Sequence, residues 1–319
     1  LAQKQDTKES CLKQLSVLDT LRCFLTPTAT NSSAVRIMYA LAEFIMRGRL
    51  QASTIALLGS IVPFASPATI GLVMLRKGSV EAGLVALWAS LPLLISYFYG
   101  QSSPFLVAVS VIALVHIIAL AFILGVSASW AMTLVASSCL SVVLAVIAGA
   151  LFAADFAELV SDIGNMVVSA SEQAEQTLNP PKAYDVLAGI AWVLGITSMV
   201  GLSIARWWQS LLINPGGFQA EFHSIRLDLK VAICCMVLVV LGLTLLSDLR
   251  LWMLLAIVPL LVAGLSLVHY AISAKELGKQ WLVLIYVGLL LGPFTPGLLA
   301  ALGVADTVLN LRSKLTKGS

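Results

Sequence analysis

Charge is what this sequence has least of. Asp, Glu, Lys and Arg make up 11% of its 319 residues, while 59% are hydrophobic and the mean hydropathy is +0.98. A soluble domain is about 25% charged and about 45–50% apolar. A water-facing surface could not be assembled from so few charges, so a soluble globule is excluded, whereas lipid tails solvate such a chain without penalty. Strand-like alternation of apolar and polar residues is also missing, which argues against a barrel. The P-loop, zinc, G-x-S-x-G and dinucleotide patterns are absent as well. No enzymatic activity, cofactor, metal or nucleic-acid partner is therefore expected. Cysteine is scarce and odd in number: Cys11, Cys23, Cys139, Cys234 and Cys235 show neither metal-ligand nor thioredoxin spacing. They read as small packing residues and not as a disulfide framework.

Long apolar runs are what the chain does have. They fall near 51–75, 79–99, 104–125, 129–154, 185–206, 231–247, 251–272 and 281–310. A spanning helix needs about 20 such residues to cross a core about 30 Å thick. The expected fold is an all-α polytopic transmembrane helix bundle with six to eight membrane segments, surrounded by lipid bilayer.

The first and last segments are interrupted. Pro63 and Pro67 lie at the centre of one, and Pro293 and Pro296 break the other. Proline removes a backbone donor and breaks a helix, and irregular backbone at membrane depth survives only inside protein or beside a water-filled cavity. Each segment is thus either a broken span or a re-entrant hairpin. Charge placement favours hairpins. If both segments enter and leave on one side, six spans remain, and nearly every Lys and Arg faces the cytoplasm, as the positive-inside preference requires. Lys182 and Arg250 then face outward, together with an acidic connection at 155–184 that projects beyond the membrane and ends at Asn179-Pro-Pro181.

Residues 1–37 read differently from the rest. Residue 1 is Leu, the stretch is polar without clear periodicity, and Met38 opens an amphipathic run to Arg49. An upstream extension of the reading frame ahead of a start at Met38 is the expectation, with a disordered cytoplasmic tail as the alternative. It has no apolar core of the signal-peptide kind. Residues 38–319 form a single transmembrane domain.

Few residues invite a functional reading. His116 sits mid-span, and an ionisable group at that depth is a functional candidate by default; a neutral histidine bonded to a neighbouring helix explains it equally well. Asp306, just after the last break, could line a cavity there. Asp155, Glu158 and Asp162 share a helical face, and a solvated acidic surface accounts for them. Residues 214–230 are expected to form an amphipathic helix on the membrane surface. Phe218, Phe222, Ile225 and Leu229 would lie on its apolar face, while Glu221, His223 and Arg226 are candidates for headgroup or partner contact. Trp130, Trp207, Trp208, Trp252 and Trp281 fall near span ends, where indoles prefer to sit. Ala52, Ala56 and Ser60 form a small-residue stripe of the kind that permits close helix contact.

Three of these stretches together carry a resemblance. Leu75-Arg-Lys-Gly78, Asn214-Pro-Gly-Gly-Phe218 with Glu221-Phe-His223 and Arg226-Leu227, and Asp306 with Leu309-Asn-Leu-Arg312 resemble the YybS-like family of uncharacterised bacterial inner-membrane proteins, over about residues 39–314. That family is distantly similar to the six-helix substrate-binding subunits of energy-coupling-factor vitamin transporters, whose small-residue stripes dock a coupling partner. The resemblance implies a multi-pass inner-membrane protein that binds a small-molecule ligand in transport, perched beside an energising partner. The alternative is a non-transporting assembly or scaffold protein that recruits a membrane or cytoplasmic protein partner through 214–230.

Overall fold

A computed structural model describes residues 33–316 other than 60, 61, 63, 174–178, 279 and 293. Among these residues the chain is helical throughout, without a strand. The helices are α1 (Ser33–Arg47), α2 (Arg49–Leu58), α3 (Ala65–Lys77), α4 (Ser79–Phe98), α5 (Pro104–Ser127), α6 (Trp130–Leu151), α7 (Ala153–Gln173), α8 (Ala183–Ile213), α9 (Gly217–Ser224), α10 (Leu229–Thr244), α11 (Arg250–Leu254), α12 (Ile257–Ala274), α13 (Gln280–Leu291), α14 (Thr295–Leu309) and α15 (Leu311–Thr316). Most of the polar stretch 1–37, Ser60, and the break positions Pro63 and Pro293 lie outside the described residues.

Helices α4, α5, α6, α8 and α12 are long and apolar enough to cross a membrane, and the count is six if α9 and α10, a pair bent by 69°, are taken as one span. Large apolar side chains such as Leu87, Phe98, Phe122, Leu151 and Leu290 point outward. Exposed apolar area on this scale marks a surface that meets lipid. The interior is also mainly apolar, with Ile70, Phe105, Leu120 and Leu202 buried, but it includes small polar residues, among them Thr133, Ser137, Ser141 and Ser198, the type that lets membrane helices approach closely. The chain is a multi-pass helical membrane protein.

Both proline-interrupted segments fold back on themselves. At 1.5 Å per residue, the 10 and 13 residues of α2 and α3 rise about 15 and 20 Å, and the 12 and 15 residues of α13 and α14 about 18 and 22 Å. None reaches across a core about 30 Å thick. The mouths of the hairpins show where the chain enters and leaves. Arg49, the first residue of α2, forms a two-pronged ion pair with Glu81, four residues past the end of α3. In the last segment, Tyr286 of α13 lies 2.9 Å from His269 near the end of α12, and Arg312, just after α14, stacks over the adjacent Tyr270. The chain therefore leaves α12 and returns to the same end of it.

The pairing of α3 with α8 fixes which end this is. Pro67 packs at Gly201 and Gly71 at Ala205, so the two helices run parallel and finish together near Lys77 and Arg206. Arg47, Arg49, Arg76, Lys77, Arg206, Arg226, Lys230, Lys275, Arg312 and Lys314 all gather at this basic end. Lys182 and Arg250 sit at the other, where Lys182 pairs with Asp248 at 3.0 Å.

Several sequence expectations change. Pro67 and Pro296 do not themselves break a helix. They occupy the first turn of α3 and α14, where backbone N–H groups have no intrahelical acceptor and proline forfeits nothing. The left-handed turn at Phe64, φ +66°, marks the first break. The acidic connection is not a prolongation of α6: that helix ends at Phe152, and α7 follows as a separate helix with no buried residue. The run at 251–272 is divided by a turn at Leu255 and Ala256. Ala52 and Ala56 are buried within the chain's own packing of α2 on α3 and α4, so their stripe is already covered. Trp130 and Trp208 face inward instead of joining an interfacial belt.

The largest correction concerns 214–230, which is not one helix. Gly216, at φ +89°, turns the chain into α9, which stops at Ser224, and Ile225–Asp228 run extended before α10. The carbonyls left open where the helix ends are satisfied from outside it. Arg312 donates to the carbonyls of His223 and Ile225, and Ser266 Oγ lies 2.6 Å from that of Phe222. Ile225 and Leu227 are consequently buried.

Candidate functional site

Three sequence elements converge at the basic end to form a cavity of about 480 Å³. The α5–α6 turn supplies Ser129 and Trp130, the last turns of α8 supply Arg206 and Gln209, and α9 with the extended segment after it supplies Glu221, Ser224 and Arg226. Leu75 of the first hairpin closes one side. Small-molecule sites typically measure about 300–1,000 Å³.

The α5–α6 turn is tight because Ala128 adopts φ +49° and Ser129 caps α6, accepting from the Met132 N–H at 3.3 Å. That places Trp130 inward, and its indole N–H points to Glu221 Oε2 at 3.4 Å. Arg206 grips the same carboxylate through two guanidinium nitrogens, with Nε at 2.9 Å, and also donates to Gln209 Oε1. Such a fork is the strong, directional form of an Arg–carboxylate pair. It pins α9 onto α8 and leaves this part of the wall electrically neutral.

Arg226 is held differently. Its Nη1 donates to Asn310 Oδ1 and its Nη2 to the Thr307 carbonyl, each at 3.0 Å. Asn310 ends α14 in the left-handed conformation, φ +49°, which asparagine tolerates better than most residues. The second hairpin thereby reaches the cavity wall.

Arg312 is the centre of the junction behind that wall. It pairs with Asp306 at 3.0 Å, donates to Ser266 Oγ at 3.1 Å and to the Ile225 carbonyl at 2.7 Å. Asp306 is 1% exposed. Burial lowers the Arg312 pKa from its usual value, Arg226 adds to this, and Asp306 opposes it. The His223 ring sits 6.4 Å from the His269 ring and 6.2 Å from that of Tyr270. Burial, and secondarily Arg312, lowers its pKa below the usual 6.5.

The candidates from sequence therefore separate. Glu221 and Arg226 line the cavity. His223 does not: its carbonyl serves Arg312 and its ring packs against α12. Asp306 is buried in the ion pair behind the wall. His116 is fully buried between α5 and α8, with Nδ1 3.0 Å from Ser198 Oγ. It lies eight residues deeper along α5 than the cavity residue Leu124, about 12 Å by helical rise. Arg206, Gln209 and Trp130 were not singled out for the site by sequence reasoning, although Arg206 is the first basic residue after Lys182 and stands at a span end. Among the described residues, no group of three or more His, Cys, Asp or Glu side chains is placed to hold a metal ion.

Fold and cavity together define a multi-pass membrane protein with a charged, solute-sized recess at one end of its bundle. No family model, no curated protein and no solved structure matches the chain.

Proposed function

We propose that this chain is a transport-related protein of the bacterial inner membrane that binds a small polar solute in the recess at its basic end. The carrying observation is the recess: charged and hydrogen-bonding side chains gather around a solute-sized volume in a bundle that is otherwise apolar. The positive-inside preference assigns that end to the cytoplasm. The two hairpins bound the recess from opposite sides, one through Leu75 and the other through its hold on Arg226. The resemblance to the YybS-like family, and through it to vitamin-transporter binding subunits, supports the same reading. The alternative is a scaffold that recruits a partner through 214–230; against it weighs that Phe218 and Phe222 are half-buried on Trp130 and His269 of the same chain.

The test is thermal unfolding of the purified protein in neutral detergent against small anionic, cationic, zwitterionic and neutral solutes. A solute that binds the folded state raises Tm, by an amount that grows with the logarithm of its concentration above Kd. At least one class should stabilise the wild type, and Ser224→Trp, which fills the recess, should abolish that response while the unliganded protein stays folded. No stabilisation from any class would overturn the proposal.

A further inference from the structure

We propose that the recess binds a single anionic group, a phosphate or a carboxylate, and that Arg226 is the residue that contacts it. This rests on the solute-binding reading above and names the class of ligand. The argument begins with charge. The titratable side chains in the lining are Arg206, Glu221 and Arg226. The first two neutralise one another through their fork. Arg226 is not neutralised: among the described residues no carboxylate lies within ion-pair distance of it. Its two bonded nitrogens meet an amide oxygen and a backbone carbonyl, both uncharged. The junction behind it offers no relief, since Asp306 is engaged by Arg312. The cluster thus holds three guanidiniums against two carboxylates.

A guanidinium has five N–H donors and cannot shed its proton. Two of those on Arg226 are committed to α14, which leaves the rest for whatever enters the recess. Withdrawing a charge from water without a counter-charge is costly, and an anion supplies the counter-charge. Anchoring from α14 also fixes the fork in advance, so less side-chain freedom is lost on binding. The neighbouring Glu221 carboxylate repels further negative charge, which favours one anionic group over a polyanion. Asp228, two residues on, is exposed and outside the lining. The recess lies at the end of the spans, at the level where lipid headgroups sit, so its anion comes either from solution or from an anionic phospholipid.

The experiment measures Tm in two settings. In neutral detergent, the probes are inorganic phosphate and acetate, against sodium chloride at matched ionic strength. In nanodiscs, phosphatidylcholine alone is compared with phosphatidylcholine containing phosphatidylglycerol. Stabilisation by phosphate or acetate marks a soluble anion as the source. Stabilisation by phosphatidylglycerol alone marks a headgroup. Both support the proposal, provided that Arg226→Gln raises the half-effective concentration about tenfold or more and Arg226→Lys restores part of the loss. Glu221→Gln frees Arg206 and should tighten binding, which keeps the test decisive if Arg226→Gln does not fold. An unaltered response in both variants, equal stabilisation by chloride, or no response to any of the three anions would overturn it. Stabilisation by a neutral or cationic solute alone would sink the anion assignment and leave the solute-binding reading standing. Silence from every class would remove both.

Discussion

The two hairpins solve one problem in different surroundings. Each brings a short, interrupted segment into the membrane and returns it to the basic end. The first is embedded: α3 is buried almost continuously from Ser66 to Met74, between α2, α4, α5 and α8. Where its ladder is broken, Ser66 donates to the Ala56 carbonyl, which satisfies one of the acceptors left open at the end of α2. Its mouth is closed by Arg49 and Glu81 at the surface. The second hairpin is peripheral. No residue of α13 is buried, and α14 packs mainly on α12, with Ala300 and Val304 also reaching the cluster formed by Ala232, Cys235 and Val239 of α10. The returning end of this hairpin is held in the interior by Arg312, which pairs with Asp306 of the same arm, with side-chain exposures of 14% and 2%, and donates to Ser266 and to the Ile225 carbonyl. Lateral packing on several helices holds the first hairpin in place, whereas a glycine contact with α12 and the hydrogen bonds of Arg226 and Arg312 hold the second.

The glycine contact should be the most sensitive point. A Cβ on Gly264 would lie 1.8 Å from the Leu299 carbonyl, and one on Gly303 would lie 2.4 Å from the Leu260 carbonyl. Backbone blocks both, so no side-chain rotation can relieve the overlap. Gly264→Ala should cost upwards of about 3 kcal/mol, the severe end of overpacking, seen as loss of monodisperse protein or a large fall in Tm. An alanine variant of wild-type stability would show that α14 does not need this approach.

The ion pairs sharpen the contrast. Asp306→Ala strips a buried guanidinium of its carboxylate and should cost about 3–5 kcal/mol. It should also loosen the 223–225 carbonyls, so backbone amides near Ile225 should exchange hydrogen faster. Arg49→Ala removes an exposed partner, which usually changes stability little. Thermal unfolding of the two variants side by side checks the difference. Equal effects would mean that the two mouths are held alike.

Acidification should act on α9, whose His223 carbonyl receives Arg312 from the second hairpin. His223 has its pKa depressed in the folded protein by burial and by Arg312. The unfolded chain therefore takes up this proton more readily, and stability falls as pH drops from the usual 6.5 towards the lower folded value. Tm measured between pH 7.5 and pH 5.5 should fall less in His223→Gln than in wild type. An identical slope in both would remove His223 as the source. The smallest effect is expected at the opposite end, where Lys182→Ala breaks a solvent-exposed pair with Asp248 and should leave Tm and detergent stability almost unchanged.

Much of the architecture was legible in the sequence. The apolar runs gave the helices, and the paucity of charge gave the membrane. The cations that flank each break on both sides, Arg47, Arg49, Arg76 and Lys77 around the first and Lys275, Arg312 and Lys314 around the last, pointed to two hairpins. The site was legible only in pieces. Glu221 and Arg226 were named, but for a helix face that does not exist, since helical periodicity across 214–230 cannot reveal that Arg312 and Ser266 take the carbonyls that end α9. His116 and Asp306 stood out as ionisable groups at depth, yet one is bonded to Ser198 and the other neutralises Arg312. Trp130 and Arg206 read as span-end residues, and their shared carboxylate is 91 and 15 residues away in the chain.

By itself the sequence determined the solvent this protein folds in, the helices that cross it and the side on which its cations lie, because hydropathy, length and charge are local properties of the chain. Tertiary structure alone decided which arginine is neutralised and which is left facing an open recess. That depends on pairing across the fold, and no periodicity within a segment records which distant carboxylate, carbonyl or glycine will meet it.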